Sequence, residues 1–455
     1  MQPRLDPRIP VFPGNPVFGN LLQFKKDRLG ALEKIQRVGT VAAIHAGRRP
    51  VIVCSEPSMI QEVLVDRAYD FHKGLNYRFL TAMLGLGLVT SEDELHKKQR
   101  RLVAPALTPK RIASYAETMG AFTDRMQARW PAEGRVDIAH EMLVLTLDIV
   151  AKTLFGTSMS DDADVIEHNS MQGMVWVADE ADRLFHIPLS VPLPRNARMR
   201  AAMKRLDSVI DKLIADRKAQ GDQGDILSML LAAKDEDGSS MSDRQVRDEA
   251  ITMIFAGHET TANGLAWTFY LLSQHPEIDA KLKAEADAVL GGRVPALADL
   301  PRLPYALAVF KESMRLYPPV PAFARRAMKK MTIGGFDFDV NQVVMFNVYG
   351  MHRRADFYPD PEKFDPERFT PENEKKLPRH AFLPFAAGPR VCIGNHFAMM
   401  EGQLLLAHLA QNFDFTLAPD AKVVPKPMIT LKPVHGIPLL YRRRKSAIAQ
   451  ARVSG

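Results

Sequence analysis

Two cysteines, Cys54 and Cys392, are all that the 455 residues contain. They cannot build a disulfide framework, and their wide separation excludes the short spacings of metal-binding or redox pairs, so a reducing cytoplasm is expected and each sulfur acts singly. Equally missing is an apolar run long enough for a signal sequence or membrane anchor. The first twenty residues are instead punctuated by Pro3, Pro7, Pro10, Pro13 and Pro16, so the protein is expected to be soluble and without a membrane anchor. No Gly/Ser-rich linker, low-complexity block or repeat of solenoid length divides the chain. The simplest reading is one domain over 1–455, with a Pro-rich segment at 1–20 and a basic tail at 443–455.

What is present suits a large core: 46% of residues are hydrophobic and 25% charged. The formal net charge of +7 comes from basic residues spread along the chain, apart from the dense run "YRRRKSA" near the C-terminus. Nucleic-acid binding is therefore not expected, and a basic surface that docks an acidic protein accounts for the charge.

Before about residue 70, "TVAAIHA" and "RPVIVCS" read as strands of a small sheet. Helical periodicity dominates afterwards, from Val136 in "VDIAHEMLVLTLDIVAKTLFG" and from Asn196 to the stop at Gly221. The longest helix starts at Ser242, where Ser242 and Gln245 spell a capping box, and continues until Pro276. Further helices are "PYALAVFKESMRLYPP" and "NHFAMMEGQLLLAHLAQNF"; strands return around "RAMKKMTIGGFDFDV" and "MITLKPVHGIPLLYRRR". The fold class is mainly α with a minor β region.

Cys392 stands in "FLPFAAGPRVCIGNHFAMM". Arg390 two residues before it and a helix start just after it bring positive charge and N–H dipoles toward the sulfur. Gly388 and Gly394 permit backbone close to a flat object, and Pro389 stiffens the turn. Taken alone, the cysteine reads more readily as a buried structural residue. The five residues Phe385, Gly388, Arg390, Cys392 and Gly394 together resemble the F-x-x-G-x-R-x-C-x-G haem signature of the cytochrome P450 family. That resemblance implies Cys392 as the thiolate ligand of haem b iron, a role the handling of oxygen in this family depends on.

Other segments resemble the family in its own order. "FAGHETTA" puts Ala256 and Thr260 on one face of the long helix, with Gly257 able to let the helix bulge. The resemblance implies Ala256 against the haem and Thr260 with Glu259 as the proton-delivery pair. Glu312 and Arg315 in "KESMR", followed by Arg368 in "FDPERF", match the family's structural E-x-x-R and P-E-R-F elements. His96 and Arg100, four apart in "ELHKKQRRL", match propionate-binding positions, and Arg390 and Arg325 (preferred over Arg326) are further candidates. Transferred pocket positions are Leu88, Val89, Phe255, Ala256, Val320, Ala322 and Ile429. Their apolar character suits a lipophilic substrate such as a fatty acid, terpenoid or steroid. The segment from Met171 to Arg200 is expected to form a mobile roof.

The implied reaction is insertion of one oxygen atom from O2 into that substrate, in a single-domain cytochrome P450 fold. The chain has no G-x-G-x-x-G and no fused reductase, so electrons from NAD(P)H are expected through a ferredoxin or flavodoxin-type partner with its reductase. The protein is expected to be a cytoplasmic monomer. Two alternatives stay open, a peroxide-driven peroxygenase and a non-catalytic haem sensor.

Overall fold

The computed structural model describes residues 2–159, 162–183, 185–234, 238 and 240–444. Helices dominate, and one helix, Asp243–Leu272, runs through the middle of the molecule. Its 30 residues span about 45 Å. Ser242 caps it by accepting from the Gln245 amide at 3.2 Å. The capping box closes on that side only, because the Gln245 side chain donates to the Leu86 carbonyl at 3.1 Å and to Glu249 at 3.3 Å. From Val246 to Leu272 nearly every position is buried. A helix apolar all round is stable only when other elements surround it. Helices Ile138–Phe155, Pro304–Leu316 and Asn395–Asn412 provide that surround.

Several boundaries differ from the sequence reading. The long helix ends at Leu272, and Pro276 opens the next helix, Pro276–Leu290, where its missing N–H costs nothing. The helix expected from Val136 begins at Ile138, capped by Asp137, because Val136 belongs to strand Glu133–Asp137. Its far end is Gly156 at φ 65°, a left-handed stop. Gln220 ends helix Pro194–Gln220 just before Gly221.

The main sheet has five strands in the order Val41–Ala46, Arg49–Cys54, Val343–Phe346, Phe323–Ala327 and Phe71–Lys73, antiparallel except between the second and third. A helix, Arg28–Val38, precedes this sheet. The Pro-rich start lies along it: the Phe12 amide donates to the Ala43 carbonyl and the Ala43 amide to the Pro10 carbonyl, both at 2.8 Å. Strand Pro438–Arg443 sits between Glu133–Asp137 and Phe413–Leu417. The expected basic tail therefore begins as structure. Arg443 closes the strand and donates to the Gln127 carbonyl, and Arg444 pairs with Asp287 at 2.7 Å. Residues 445–455 lie outside the described residues. Among the described residues, no helix is long and apolar enough to cross a membrane.

Candidate active site

Cys392 ends a loop pinned at both sides. Its amide donates to the Phe385 carbonyl at 2.9 Å, and Val391 donates to Gly388 at 3.0 Å around the short turn Gly388–Arg390. Ala386 holds φ 55°, a left-handed conformation that costs a non-glycine residue roughly 1–3 kcal/mol. Gly388 is at φ 71°, and a Cβ there would come within 1.8 Å of the Leu64 carbonyl oxygen. Its role is therefore to let the loop press against its own protein; it does not border the cavity. Gly394 differs from Gly388. It borders the cavity, and a Cβ would meet no protein atom within 4 Å.

The accessible area of Cys392 is area it presents to a cavity of about 310 Å³. Burial pushes its thiol above the usual cysteine range, opposed by the Gly394 amide and by Arg100. Arg100 also donates to the Val391 carbonyl at 2.9 Å. Cys54 lies fully buried elsewhere, its thiol pushed up to about 12 by burial.

The same cavity is bordered by four cations, Lys73, Arg100, Arg325 and Arg390, and by His96 and Tyr77, with no carboxylate among the described lining residues. Burial, with Arg390 and Lys73 nearby, holds His96 neutral with a pKa of about 3. Burial also lowers Lys73, helped by Arg390. Arg325 rather than Arg326 faces inward: Phe323 and Arg325 share one face of their strand, while Arg326 turns away to Asn341. Arg390 borders the cavity, but its guanidinium is committed to the Glu92 carboxylate and, at 3.0 Å, to the Ser91 carbonyl. The sequence offered Arg390 as one further propionate candidate, and its place on the cavity border is compatible with that reading. Lys73 and Tyr77 were not anticipated, because nothing in "FHKGLNY" has a spacing that signals a shared cavity.

On the long helix, Ala256, Gly257 and Thr260 are half-buried, and all three border the cavity. Thr260 Oγ1 donates to the Ala256 carbonyl at 3.0 Å. The helix stays regular at Gly257, whose missing side chain instead allows Val150 of the crossing helix to approach; a Cβ would stand 3.1 Å from it. Glu259 is not beside Thr260 at the cavity. It is 1% exposed, accepts from Thr430 Oγ1 and lies 3.3 Å from Lys432 Nζ. One residue of a helix turns the side chain by about 100°, which suffices to send neighbours to different surroundings.

Leu88, Val89, Ala256 and Val320 border the cavity; Phe255, Ala322 and Ile429 do not. Phe255 enters the main core, Ala322 packs near Leu29, Leu32 and Leu431, and Ile429 packs on the core rim. Val150, Leu154, Met253, Phe310 and Phe323 take their places on the apolar wall. No described residue from 171–200 contributes to it; much of that expected roof is the end of helix Ala163–Ala181 and the start of Pro194–Gln220.

Glu312 and Arg315 are fully buried, joined at 2.6 and 2.8 Å. Arg315 also donates to the carbonyls of His352, Pro361 and Lys363, while Glu312 accepts the Asp365 amide and lies 3.5 Å from Arg368. These groups stand away from the cavity and brace the segment that leads to the cysteine loop.

The family model described as Cytochrome P450 matches residues 9–439. Cyclooctatin synthase of Streptomyces melanosporofaciens is 38% identical over 92% of this chain and 93% of that protein. Pentalenene oxygenase of Streptomyces avermitilis is 32% identical over 91% and 93%. Cyclooctat-9-en-7-ol 5-monooxygenase of Streptomyces melanosporofaciens is 33% identical over 88% of each chain.

Proposed function

The chain belongs to the cytochrome P450 family, and from that premise we propose that it hydroxylates a terpenoid skeleton inside the cavity bordered by Cys392 and Thr260. It is a monooxygenase with haem b as cofactor and NAD(P)H as the distant source of electrons. The residues present fit that cofactor. Cys392 offers one sulfur, Gly394 leaves room beside it, and the bordering Arg100, Arg325, Arg390 and Lys73, with no carboxylate among the described lining residues, suit a group carrying two carboxylates. When bound, haem supplies the reductive activation of dioxygen.

The protein's own part is orientation and proton placement. Arg100 and Arg325 are the proposed carboxylate partners, with Lys73, His96 and Tyr77 beside them. Thr260 Oγ1 is the proposed proton-bearing atom, since it borders the cavity from a fixed helix position. For Glu259 to resupply it, the carboxylate has to leave Lys432 and Thr430.

The observation that carries the substrate class is the apolar wall of Leu88, Val89, Val150, Leu154, Met253 and Val320, which offers grip to hydrocarbon and little to polar groups. Two relatives are named for oxidising pentalenene and cyclooctat-9-en-7-ol, both terpenoids, which favours that class over fatty acids and steroids. The electron donor is proposed to be a separate ferredoxin or flavodoxin-type protein with its reductase. The cationic hollow where Lys97, Arg100 and Arg101 meet Pro389 is the proposed docking side. The protein is further proposed to be a cytoplasmic monomer.

The test is titration of the holo enzyme with cyclic terpenes, fatty acids and steroids, read as displacement of the iron-bound water, followed by turnover with ferredoxin, its reductase and NADPH. A terpene shift and a product carrying one atom of labelled O2 are expected. Binding without product, or product only with peroxide, overturns the monooxygenase assignment in favour of a sensor or a peroxygenase.

A further inference from the structure

Residues 85–91 join helix Tyr77–Leu84 to helix Asp93–Val103 without regular structure, yet their backbone is tied at almost every step. Two consecutive carboxylates of the long helix accept from alternate loop amides: Asp248 from Leu86 at 2.8 Å and Glu249 from Leu88 at 3.0 Å. The Leu86 carbonyl accepts from Gln99 at 2.6 Å and Gln245 at 3.1 Å, and Lys73 Nζ donates to the carbonyls of Leu88 and Ser91. The contact leaves no space for side chains at the glycines. A Cβ on Gly85 would stand 2.1 Å from the Asp248 carboxylate, and one on Gly87 would stand 2.2 Å from Thr252 Oγ1.

From this geometry we propose that Glu249, with Asp248 beside it, is a positioning residue for substrate selection, holding the loop on the long helix and so fixing Leu88 and Val89 in the cavity wall. The Glu249 side chain is fully buried, so its position is not a consequence of solvation. Burial pushes its carboxyl up to about 7, opposed by the Leu88 amide, Gln245 and Lys73 and reinforced by Asp248. An acid kept in such surroundings serves as the acceptor that the buried Leu88 amide requires. The inference rests on the cavity being the substrate site.

The test compares Glu249→Gln with Glu249→Leu as holo enzymes. Two readouts are used: amide exchange across 85–91, and the ratio of affinities for imidazole and the bulkier phenylimidazole. The glutamine oxygen still accepts from Leu88, so that variant is expected within about twofold of wild type in both. Leucine removes the acceptor, and exchange at Leu86 and Leu88 is expected to rise roughly tenfold, with a clear change in azole preference. Should the leucine variant fail to hold haem, Gln245→Ala removes the neighbouring tie from a half-buried position and is expected to move both readouts the same way. Unchanged exchange, or a glutamine variant as loose as the leucine one, overturns the positioning role. Faster exchange with an unchanged azole ratio overturns the selection role alone. Failure of the monooxygenase reading would show separately, as absence of oxygenated product from wild type.

Discussion

His352 accepts the Leu383 amide on Nε2 at 2.9 Å while its Nδ1 faces the Arg315 carbonyl at 3.3 Å. Nε2 is therefore the bare nitrogen and Nδ1 the donor, and one fully buried ring joins the helix of the Glu312–Arg315 pair to the start of the cysteine loop.

Burial, then Arg315, lowers the pKa of His352 to about 3, with Arg353 acting the same way. A depressed histidine contributes stability that is complete above its ordinary value of about 6.5 and is lost as pH falls toward 3, because only the unfolded chain takes up the proton in that window. Wild type is therefore expected to lose roughly 2 kcal/mol more than His352→Phe between pH 7 and pH 5. Denaturant unfolding at the two pH values checks this; an equal loss in both proteins sinks the idea.

Arg315→Ala leaves Glu312 buried without its bidentate partner and strands three carbonyls. The expected cost is about 3–5 kcal/mol, seen as loss of folded, haem-loaded protein. Arg315→Lys is expected to rescue little, since an ammonium cannot match the fork geometry. Near-normal haem loading in either variant would contradict the bracing role.

The two glycines of the cysteine loop are expected to fail differently. Gly388→Ala forces a Cβ onto the Leu64 carbonyl at a left-handed φ and is expected to destabilise even the haem-free protein by at least about 1–3 kcal/mol. Gly394→Ala meets no protein atom, so haem-free stability is expected to match wild type while haem affinity falls. Thermal melts of the apo proteins and haem titrations separate the cases. Identical behaviour of the two variants would refute the distinction.

Thr260→Ala removes a hydroxyl at the cavity without disturbing a regular helix. Substrate affinity is expected to hold, while product formed per NAD(P)H consumed drops roughly tenfold or more. Thr260→Ser is expected to recover most of the coupling. Full coupling in the alanine variant would remove Thr260 from the proton path.

If the proposed docking of an acidic electron donor at the cationic hollow holds, reduction is expected to be sensitive to salt. Lys97→Glu is expected to slow reduction several-fold at low ionic strength and to converge with wild type at high salt. Stopped-flow reduction across a salt series checks this, and a rate indifferent to salt argues for another face.

Much of this protein was legible from local pattern. Periodicity and capping give the long helix from Ser242, and glycines and a proline mark the loop that carries Cys392 to the cavity border. Alternation in "FARRA" decides between Arg325 and Arg326 once the strand is known. These readings succeed because helix and strand geometry repeat over a few residues, and sequence spacing is a direct record of that repeat.

The rest required neighbours distant in sequence. That Glu259 faces Thr430 and Lys432, that Arg390 is taken by Glu92, that Gly388 answers to Leu64, and that Asp248 and Glu249 hold 85–91 are all contacts between separate elements. Sequence by itself determined the elements; only tertiary packing decided which side each polar group faces. A buried charge or amide must find a partner, and the chain supplies that partner from wherever folding brings one within hydrogen-bond reach.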